Sequence, residues 1–324
     1  MSPSTKTLPV LGTQVTAGKD VYIKGVKIDK GFVLTPEWVD DHAAVIQQYM
    51  NLFISYPDLY IDLITPQESN FKLFFYQRIF LRAAMRFRYM FGTFTRAYSK
   101  SFLSILSRIL QCIFLPNTKT FVCADIKSSG IKITVDKVDE IFRLWPMLWN
   151  EVLTKHKSGD DYIELIFRNG SMFDCIGVTQ GTRGIRRTSG VFEEAAMFDA
   201  DEVNERVLPT LNISRKDVLD RMYQDEPTQS QVWITSAGGK ACFAYDKLIE
   251  IAVMSIINPK TAFICGGDYR LPVKVGLLNK SYIDDMRLSS TYKEESFARE
   301  MMSINIKSRW TKNLLNCWNT LRVA

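Results

Sequence analysis

The chain has 324 residues and a formal net charge of +6, with 46% hydrophobic and 23% charged residues. These values are ordinary for a folded domain with an apolar core and argue against a disordered chain. Six cysteines without a CxxC pair and only two histidines argue against a zinc site. The first twenty residues lack an apolar signal core, and the longest apolar stretch, residues 102–115, is interrupted by Arg108 and too short for a bilayer. We therefore expect a soluble, intracellular protein with no membrane partner.

After an N-terminal arm of about 33 residues, helical patterns follow from Thr35 through Met50 and over residues 76–89. Strands then alternate with helices, which predicts an α/β fold with a mostly parallel central sheet flanked by helices. The arginine, asparagine and glycine at 168–170 predict a hairpin between two of the strands. The predicted strands cover residues 90–94, 118–124, 162–167, 171–178, 191–193, 231–236 and 261–265, and the predicted helices cover residues 100–112, 131–144, 201–208 and 240–256.

The pattern changes near the C-terminus, where a helix is predicted over residues 294–302 and a basic segment follows. We expect three parts: an arm and helical segment at 1–70, a core at 71–270, and a small lid or linker at 271–324.

Residues 93–101, with the sequence Thr-Phe-Thr-Arg-Ala-Tyr-Ser-Lys-Ser, connect a predicted strand to a predicted helix. A phosphate-binding loop, or Walker A motif, needs this context and a helix that begins at lysine followed by serine or threonine. Lys100 and Ser101 satisfy the second condition. The usual pattern has glycine where this chain has Phe94 and Ser99, and a side chain is strained where φ must be positive. The alternative is a surface helix capped by Ser99, with no ligand.

A short apolar run, residues 189–192, ends in Glu193 and Glu194. At the end of a buried strand, two carboxylates can hold Mg²⁺ and orient an attacking water, as in a Walker B motif. Burying carboxylates without such a task is costly. The alternative is the first turn of a helix, where glutamate is favoured by the helix dipole.

These pieces occur in an order that resembles the ATPase domain of tailed-phage terminase large subunits. The ordered set is Tyr76-Gln77-Arg78, Arg96 with Ser99-Lys100-Ser101, Thr182-Arg183-Gly184, residues 191–195, and Ile234-Thr235-Ser236-Ala237. The resemblance covers roughly residues 57–303. It implies a P-loop NTPase fold that binds ATP and Mg²⁺.

The resemblance also implies roles for single residues. Glu194 would be the catalytic carboxylate, Arg183 a finger that reaches a neighbouring subunit's nucleotide, and Arg96 the arginine of the phosphate loop. Arg186 and Arg187 compete with Arg183 for the finger role. Ser101 and Glu193 would hold the metal, and Thr235 and Ser236 would couple hydrolysis to movement. The nucleotide-binding set would be Tyr76, Gln77, Thr95, Arg96, Ala97, Tyr98, Ser99, Lys100 and Ser101.

The function implied is ATP hydrolysis that drives double-stranded DNA into a procapsid. The implied partners are DNA, the portal protein, the small terminase subunit and further copies of the chain in a ring on the procapsid. The implied location of the chain is the host cytoplasm and, transiently, the portal vertex of the procapsid; the chain would be absent from the mature virion. The nuclease domain that usually follows is not recognised after Glu300, so nuclease activity is not expected. Two alternatives stay open: another nucleic-acid translocase, such as a helicase-like ATPase, and a weak or inactive P-loop module that acts in assembly or DNA binding.

Overall fold

The structure is a computed structural model that describes residues 21–23, 26–28, 40–158, 162–178, 185–216, 229–236 and 243–304. The strands are β1 (Val21–Ile23), β2 (Val26–Ile28), β3 (Tyr89–Phe94), β4 (Lys119–Ala124), β5 (Val152–Ser158), β6 (Tyr162–Phe167), β7 (Met172–Gly177), β8 (Ser189–Phe192), β9 (Ser230–Thr235) and β10 (Ala262–Gly267). The helices are α1 (Ala43–Ser55), α2 (Pro57–Ile64), α3 (Phe75–Arg86), α4 (Lys100–Phe114), α5 (Lys127–Leu144), α6 (Ala200–Glu202), α7 (Phe243–Ile257), α8 (Arg270–Lys274), α9 (Lys280–Leu288) and α10 (Glu294–Glu300). Irregular helical turns cover Pro146–Glu151 and extend α6 through Val203–Val207 and Leu208–Thr210.

Eight strands form one sheet in the order β10-β3-β9-β8-β4-β7-β6-β5, and β1 pairs with β2 separately. The six strands from β10 to β7 are parallel, and β6 and β5 extend the sheet with antiparallel pairing. In a parallel sheet the carboxyl ends of all strands meet at one edge, where ligands bind. The segments that follow β3, β8 and β9 therefore come together.

Helices pack against both faces of this sheet, and its central strands are therefore apolar on both sides. In β3, Met90 belongs to one core and Phe91 to the other. The first core includes α4 and α5 with the fully buried Trp145, and the second includes the stacked rings of Phe192 and Trp233, 3.9 Å apart at their centroids. The phosphate-loop candidate is thus anchored between two packed layers.

The predicted fold class and the predicted hairpin between β6 and β7 are confirmed. The helix predicted over 76–89 instead ends at Arg86, because Phe87 stacks on Phe263 of the neighbouring strand and the chain enters β3 at Tyr89. The sequence interpretation missed α2 and β5. Among the described residues, no helix combines the length and the apolar character that a membrane span requires.

Asp58 is fully buried and joins α2 to α3. It accepts hydrogen bonds from Arg82, at 2.7 Å, and from Arg78, at 3.2 Å. Burial by itself raises the pKa of the Asp58 carboxyl, but the bonds from Arg82 and Arg78 outweigh it, so the pKa lies below the usual 3.8. The ionised carboxylate therefore stabilises the fold at neutral pH.

We expect Asp58→Asn to lower the free energy of unfolding by about 2 kcal/mol at pH 7, because two arginines lose their buried partner. The loss should shrink as the pH falls below 3.8 and through the lowered pKa of the folded carboxyl, because the wild-type side chain then loses its charge as well. Urea denaturation at several pH values measures both effects. Asp62→Asn is the matched control, since Asp62 also pairs with Arg78 but is 40% exposed; it should cost less than about 1 kcal/mol. Equal losses in the two variants would contradict a special role for the buried Asp58 carboxylate.

Candidate functional site

The loop between β3 and α4 contains two residues in the left-handed region. Ala97 has φ of 60° and Ser99, the residue before α4, has φ of 59°. Side chains are strained in this region, which glycine tolerates. Phe94, the other position where glycine was expected, ends β3 and is not among the residues with positive φ. The strain expected from the motif thus falls on Ala97 and Ser99.

Lys100 lies in the interior of the site, with a side chain only 9% exposed. Its Nζ donates to the Ser236 hydroxyl at 2.6 Å and to the Phe94 carbonyl at 3.2 Å. It is also 3.5 Å from Oε1 of Glu194. These partners come from the ends of three strands, so the ammonium group is the point at which β3, β9 and β8 meet.

Glu193 directly follows β8 and is buried. Its Oε2 accepts a hydrogen bond from the Ser101 hydroxyl at 3.2 Å, while its Oε1 has no hydrogen-bond partner within the described part of the chain. Burial raises the pKa of the Glu193 carboxyl and the nearby Glu194 acts in the same direction, whereas Ser104, Lys100 and Ser101 oppose the rise. A buried carboxylate with an unused oxygen can take a cation.

Glu194 has φ of 51°, an uncommon value for a residue with a side chain. This conformation turns its carboxylate toward β9, where it accepts hydrogen bonds from the Ser236 hydroxyl at 3.0 and 3.1 Å and from the Ser236 amide at 3.3 Å. Its side chain is 48% exposed. Two adjacent glutamates thus have different surroundings: one is buried beside Ser101, and the other faces the open space above Lys100.

That open space is a cleft of about 780 Å³. Its volume is within the range of small-molecule sites. The loop forms its floor, and Glu194, Met197 and Ser236 form one wall. Its lining residues are Phe71, Phe74, Gln77, Arg96, Ala97, Tyr98, Ser99, Lys100, Ser101, Phe102, Lys137, Glu140, Glu194, Ala196, Met197, Ser236, Leu277 and Glu300.

Aromatic residues support the loop from below. Tyr98 is buried between the rings of Tyr76, at 4.6 Å, and Phe94, at 4.8 Å. It also lies so close to Gly267, at the end of β10, that a Cβ there would be 1.9 Å from the Tyr98 hydroxyl. Tyr76 packs beneath the cleft against the ring of Tyr98, and it does not line the cleft.

Gln77 is buried at the first turn of α3 and lines the cleft. Its Oε1 accepts from the Phe74 amide at 2.9 Å, which caps the helix. This bond fixes the side-chain amide against the wall formed by Phe71 and Phe74. The predicted residue Gln77 thus lies at the cleft, with two aromatic neighbours that the sequence interpretation did not select.

The loop is also joined to α10. The Thr95 hydroxyl is buried and donates to the Glu300 carbonyl at 2.8 Å, so Thr95 does not face the cleft. Arg96 is 69% exposed, and its Nε lies 3.5 Å from Oε2 of Glu300. Thr235, at the end of β9, is buried, and its hydroxyl has no partner among the described residues. Of the two predicted coupling residues, Ser236 contacts the site and Thr235 lies behind it.

The arginines predicted as fingers have different positions. Arg183 lies outside the described residues, and Arg186 is exposed. Arg187 is buried and forms an ion pair with Asp174 of β7. It precedes β8, so it lies toward the amino end of the sheet, away from the cleft. Arg187 as a candidate finger was therefore wrong, because a buried, paired guanidinium cannot reach a neighbouring molecule.

Lys137 and Glu140 line the cleft from α5 and pair with each other at 2.7 Å. No local motif marks them, since their position depends on how α5 packs beside α4. Their spacing of three residues on one helix face is the only signal in the sequence.

We expect Ser99→Gly to raise the free energy of unfolding by about 1 kcal/mol, because glycine adopts the left-handed conformation without strain. Urea denaturation at pH 7 measures this change. Ser129→Gly, at an exposed position in α5, is the control and should instead lose up to about 1 kcal/mol. A loss at Ser99 equal to that at Ser129 would show that the loop is not strained.

No protein-family model matches this sequence, and no curated protein sequence matches it either. Solved structures do show similarity. The large terminase ATPase domain of Thermus phage P74-26 superposes with a TM-score of 0.53 at 14% identity, covering 72% of this chain and 94% of that chain. The large terminase of another thermophilic bacteriophage gives 0.52 at 12% identity, covering 72% of this chain and 53% of that chain.

The second of these terminases is also similar in its complex with ADP, with a TM-score of 0.51 at 12% identity, covering 70% of this chain and 52% of that chain. This chain therefore spans about half the length of that terminase. At this level of identity the similarity is one of fold. The chain therefore has a fold similar to that of the ATPase domain of the Thermus phage large terminase.

Proposed function

We propose that this chain hydrolyses ATP in the cleft above the loop at 93–101, as the motor of viral DNA packaging. The observation that carries the proposal is the meeting of Lys100, Ser101, Glu193 and Glu194 at the carboxyl edge of the parallel sheet. Two adjacent glutamates without a shared role would not be expected to lie beside the first two residues of the loop helix, Lys100 and Ser101. The ADP complex of the thermophilic phage terminase, which shares the fold, adds support for a nucleotide.

The phosphates would lie over the start of α4. A helix N-terminus favours anions, and Lys100 supplies a positive charge beside it. Lys100 now donates to Ser236 and lies near Glu194. A bound triphosphate would compete for the same ammonium group. Arg96 lines the cleft from the loop and would add a second cation, and the backbone of 96–99 would supply N–H donors.

Ser101 and Glu193 would hold Mg²⁺. The unused Oε1 of Glu193 and the hydroxyl of Ser101 are oxygen donors of the kind that Mg²⁺ prefers. Among the described residues, no three side chains of His, Cys, Asp or Glu are grouped for a metal, so the nucleotide phosphates would have to complete the set. When bound, the metal neutralises charge on the phosphate oxygens.

Glu194 would orient the attacking water. It is half exposed toward the cleft, and the hydrogen bonds from Ser236 hold its carboxylate in one direction. Positioning of the attacking water is one of the tasks that a protein performs in such reactions. Ser236 forms hydrogen bonds with both Lys100 and Glu194. A movement of either group would therefore shift Ser236 and, through it, β9 and the neighbouring Thr235.

The base would enter between Phe71, Phe74 and Gln77. The Phe74 amide fixes the oxygen of the Gln77 side chain, and the Gln77 nitrogen would donate to a base edge. Tyr76 would act from below by holding Tyr98 and the loop in place.

The wider role extends this site to an assembly. Arg183 would act on a neighbouring subunit's nucleotide in a ring, and the ring would grip double-stranded DNA through its phosphates at the portal protein, with the small terminase subunit, in the host cytoplasm. The net charge of +6 suits such a partner. We also propose the division into an arm at 1–70, a core at 71–270 and a lid at 271–324.

We expect Lys100→Ala and Glu194→Gln each to lower steady-state ATP turnover at least about 100-fold, because one removes phosphate binding and the other removes the oriented water. Release of inorganic phosphate in the presence of Mg²⁺ measures this. Lys119→Ala is the control for loss of a positive charge, since Lys119 is exposed at the amino end of β4. Equal rates in all four proteins would instead favour a binding or assembly module without catalysis.

We expect Glu193→Gln to be more stable than wild type by about 1 kcal/mol at pH 7, and still to lose ATP turnover. The pKa of the Glu193 carboxyl is raised in the fold, so its favourable contribution is complete below the ordinary 4.5 and declines as the pH rises through the folded value. The advantage of glutamine should therefore grow with pH. Urea denaturation between pH 4 and 8 measures it, with the half-exposed Glu194→Gln as control. A variant that is less stable than wild type at pH 7 would contradict this account.

A further inference from the structure

Arg108 is a cation in the core that the proposed reaction does not use. It lies on α4, eight residues or about 12 Å after Lys100, and it is fully buried. Burial lowers the pKa of its guanidinium to about 10, so the side chain is still charged at neutral pH. A charge in the core is costly, because its hydration is lost. Stability alone therefore does not account for a cation at this position.

The hydrogen-bond partners of Arg108 within the described part of the chain are all neutral. Its Nη2 donates to the Ala84 carbonyl at 2.9 Å, its Nη1 to Oε1 of Gln111 at 2.9 Å, and its Nε to the Ser107 hydroxyl at 3.3 Å. Apolar side chains of similar volume can often replace buried charges without loss of stability. Buried hydrogen bonds can instead fix one arrangement of packed elements, because they are directional and apolar contacts are not.

The bond to Ala84 joins α4 to the last turn of α3. Ala84 lies two residues before the end of α3 at Arg86, and the last carbonyls of a helix have no N–H partner within the helix. A cation beside these carbonyls is also favoured by the helix dipole. Arg108 therefore caps the C-terminal end of α3 from the middle of the phosphate-loop helix.

At its other end, α3 contacts the phosphate loop. There Tyr76 packs on Tyr98, with ring centroids 4.6 Å apart, and the next residue, Gln77, lines the cleft. Between the two ends the contacts are apolar, as at Phe80. Apolar packing permits small sliding movements of one helix on another, whereas the bond from Arg108 fixes α3 along its axis. Seven helical residues, about 10 Å, then relate this fixed point to Gln77.

The guanidinium of Arg108 is itself held in place through Gln111. Oε1 of Gln111 also accepts from the Ser189 hydroxyl at 2.7 Å, and that hydroxyl lies 2.9 Å from the hydroxyl of Thr120. Ser189 begins β8, and Thr120 belongs to β4. The network thus ties Arg108 to the sheet on one side and to α3 on the other.

We infer that Arg108 is a positioning residue, which fixes α3 against α4 and thereby places Gln77 at a set distance from the phosphate loop. The inference rests on the proposed function, since it concerns the same nucleotide site. The base would be held from α3 and the phosphates from α4. A shift between the two helices should therefore weaken the binding of a nucleotide more than the binding of its phosphates alone.

Arg108→Met tests this, because methionine is apolar, unbranched and able to fill irregular space in a core. ADP and pyrophosphate share the diphosphate and differ in the adenosine, so their dissociation constants in Mg²⁺ separate the two ends of the site. Isothermal titration calorimetry should show ADP binding at least about fivefold weaker than in the wild type, and pyrophosphate binding within about twofold. Ser189→Ala is the matched control, since it removes a buried hydrogen bond of the same network and keeps the bond to Ala84.

Unchanged ADP affinity in Arg108→Met would overturn the inference. An equal loss for ADP and pyrophosphate, or the same selective loss in Ser189→Ala, would also overturn it, because a general disturbance of the core would then explain the result. Failure of the wild type to bind ADP would instead contradict the proposed function. The position of α3 is then decided by a measurement that needs no nucleotide.

Hydrogen exchange of the ligand-free chain provides that measurement. Arg108→Met should speed amide exchange over residues 79–86 of α3 at least about fivefold, while exchange over β10, residues 262–267, stays as in the wild type. Ser189→Ala should leave exchange over α3 within about twofold of the wild type. The same exchange over α3 in all three proteins would show that Arg108 does not hold this helix, whatever the chain binds.

Discussion

Everything in the site depends on where the ammonium group of Lys100 is held. A nearly buried cation needs partners, and the parallel sheet provides them by bringing the ends of β3, β9 and β8 to one edge. The Phe94 carbonyl, the Ser236 hydroxyl and the Glu194 carboxylate are contributed by those three ends. The fold and the site are therefore linked by one requirement: β9 must lie between β3 and β8 so that Ser236 contacts both Lys100 and Glu194.

The same region concentrates unfavourable features. Ala97, Ser99 and Glu194 have positive φ, and Glu193 is buried with an oxygen that lacks a partner among the described residues. Such features cost free energy and persist only where the surroundings enforce them. The surroundings here are unusually firm: Tyr98 is held between aromatic rings, and β3 is buried on both faces. A binding site combines rigidly held backbone with polar atoms that are free to contact a ligand, such as Oε1 of Glu193. A surface helix that is merely capped by Ser99 would show neither feature.

The sequence alone predicted those parts of the site that follow from the order of strands, helices and motifs along the chain. The alternation of strands and helices predicted the sheet, and the positions of Lys100 and of the two glutamates after their strands brought them to one edge. It did not reach what depends on packing between distant segments. Phe71, Phe74, Lys137 and Glu140 line the cleft only because α5 and the segment before α3 pack beside α4. Asp58 and Arg187 are charged residues whose burial becomes visible only when their partners, Arg82 and Asp174, are placed next to them.

The two contacts between the loop and α10 differ in strength, and this difference constrains how the cleft can change. The bond from the buried Thr95 hydroxyl to the Glu300 carbonyl is short and shielded from water, whereas the pair between Arg96 and the Glu300 carboxylate is long and mostly exposed. An exposed pair contributes little to stability. Arg96 can therefore turn toward a bound anion at small cost while Thr95 keeps α10 attached to the loop. Any movement of α10 away from the end of β3 would have to break the buried bond from Thr95.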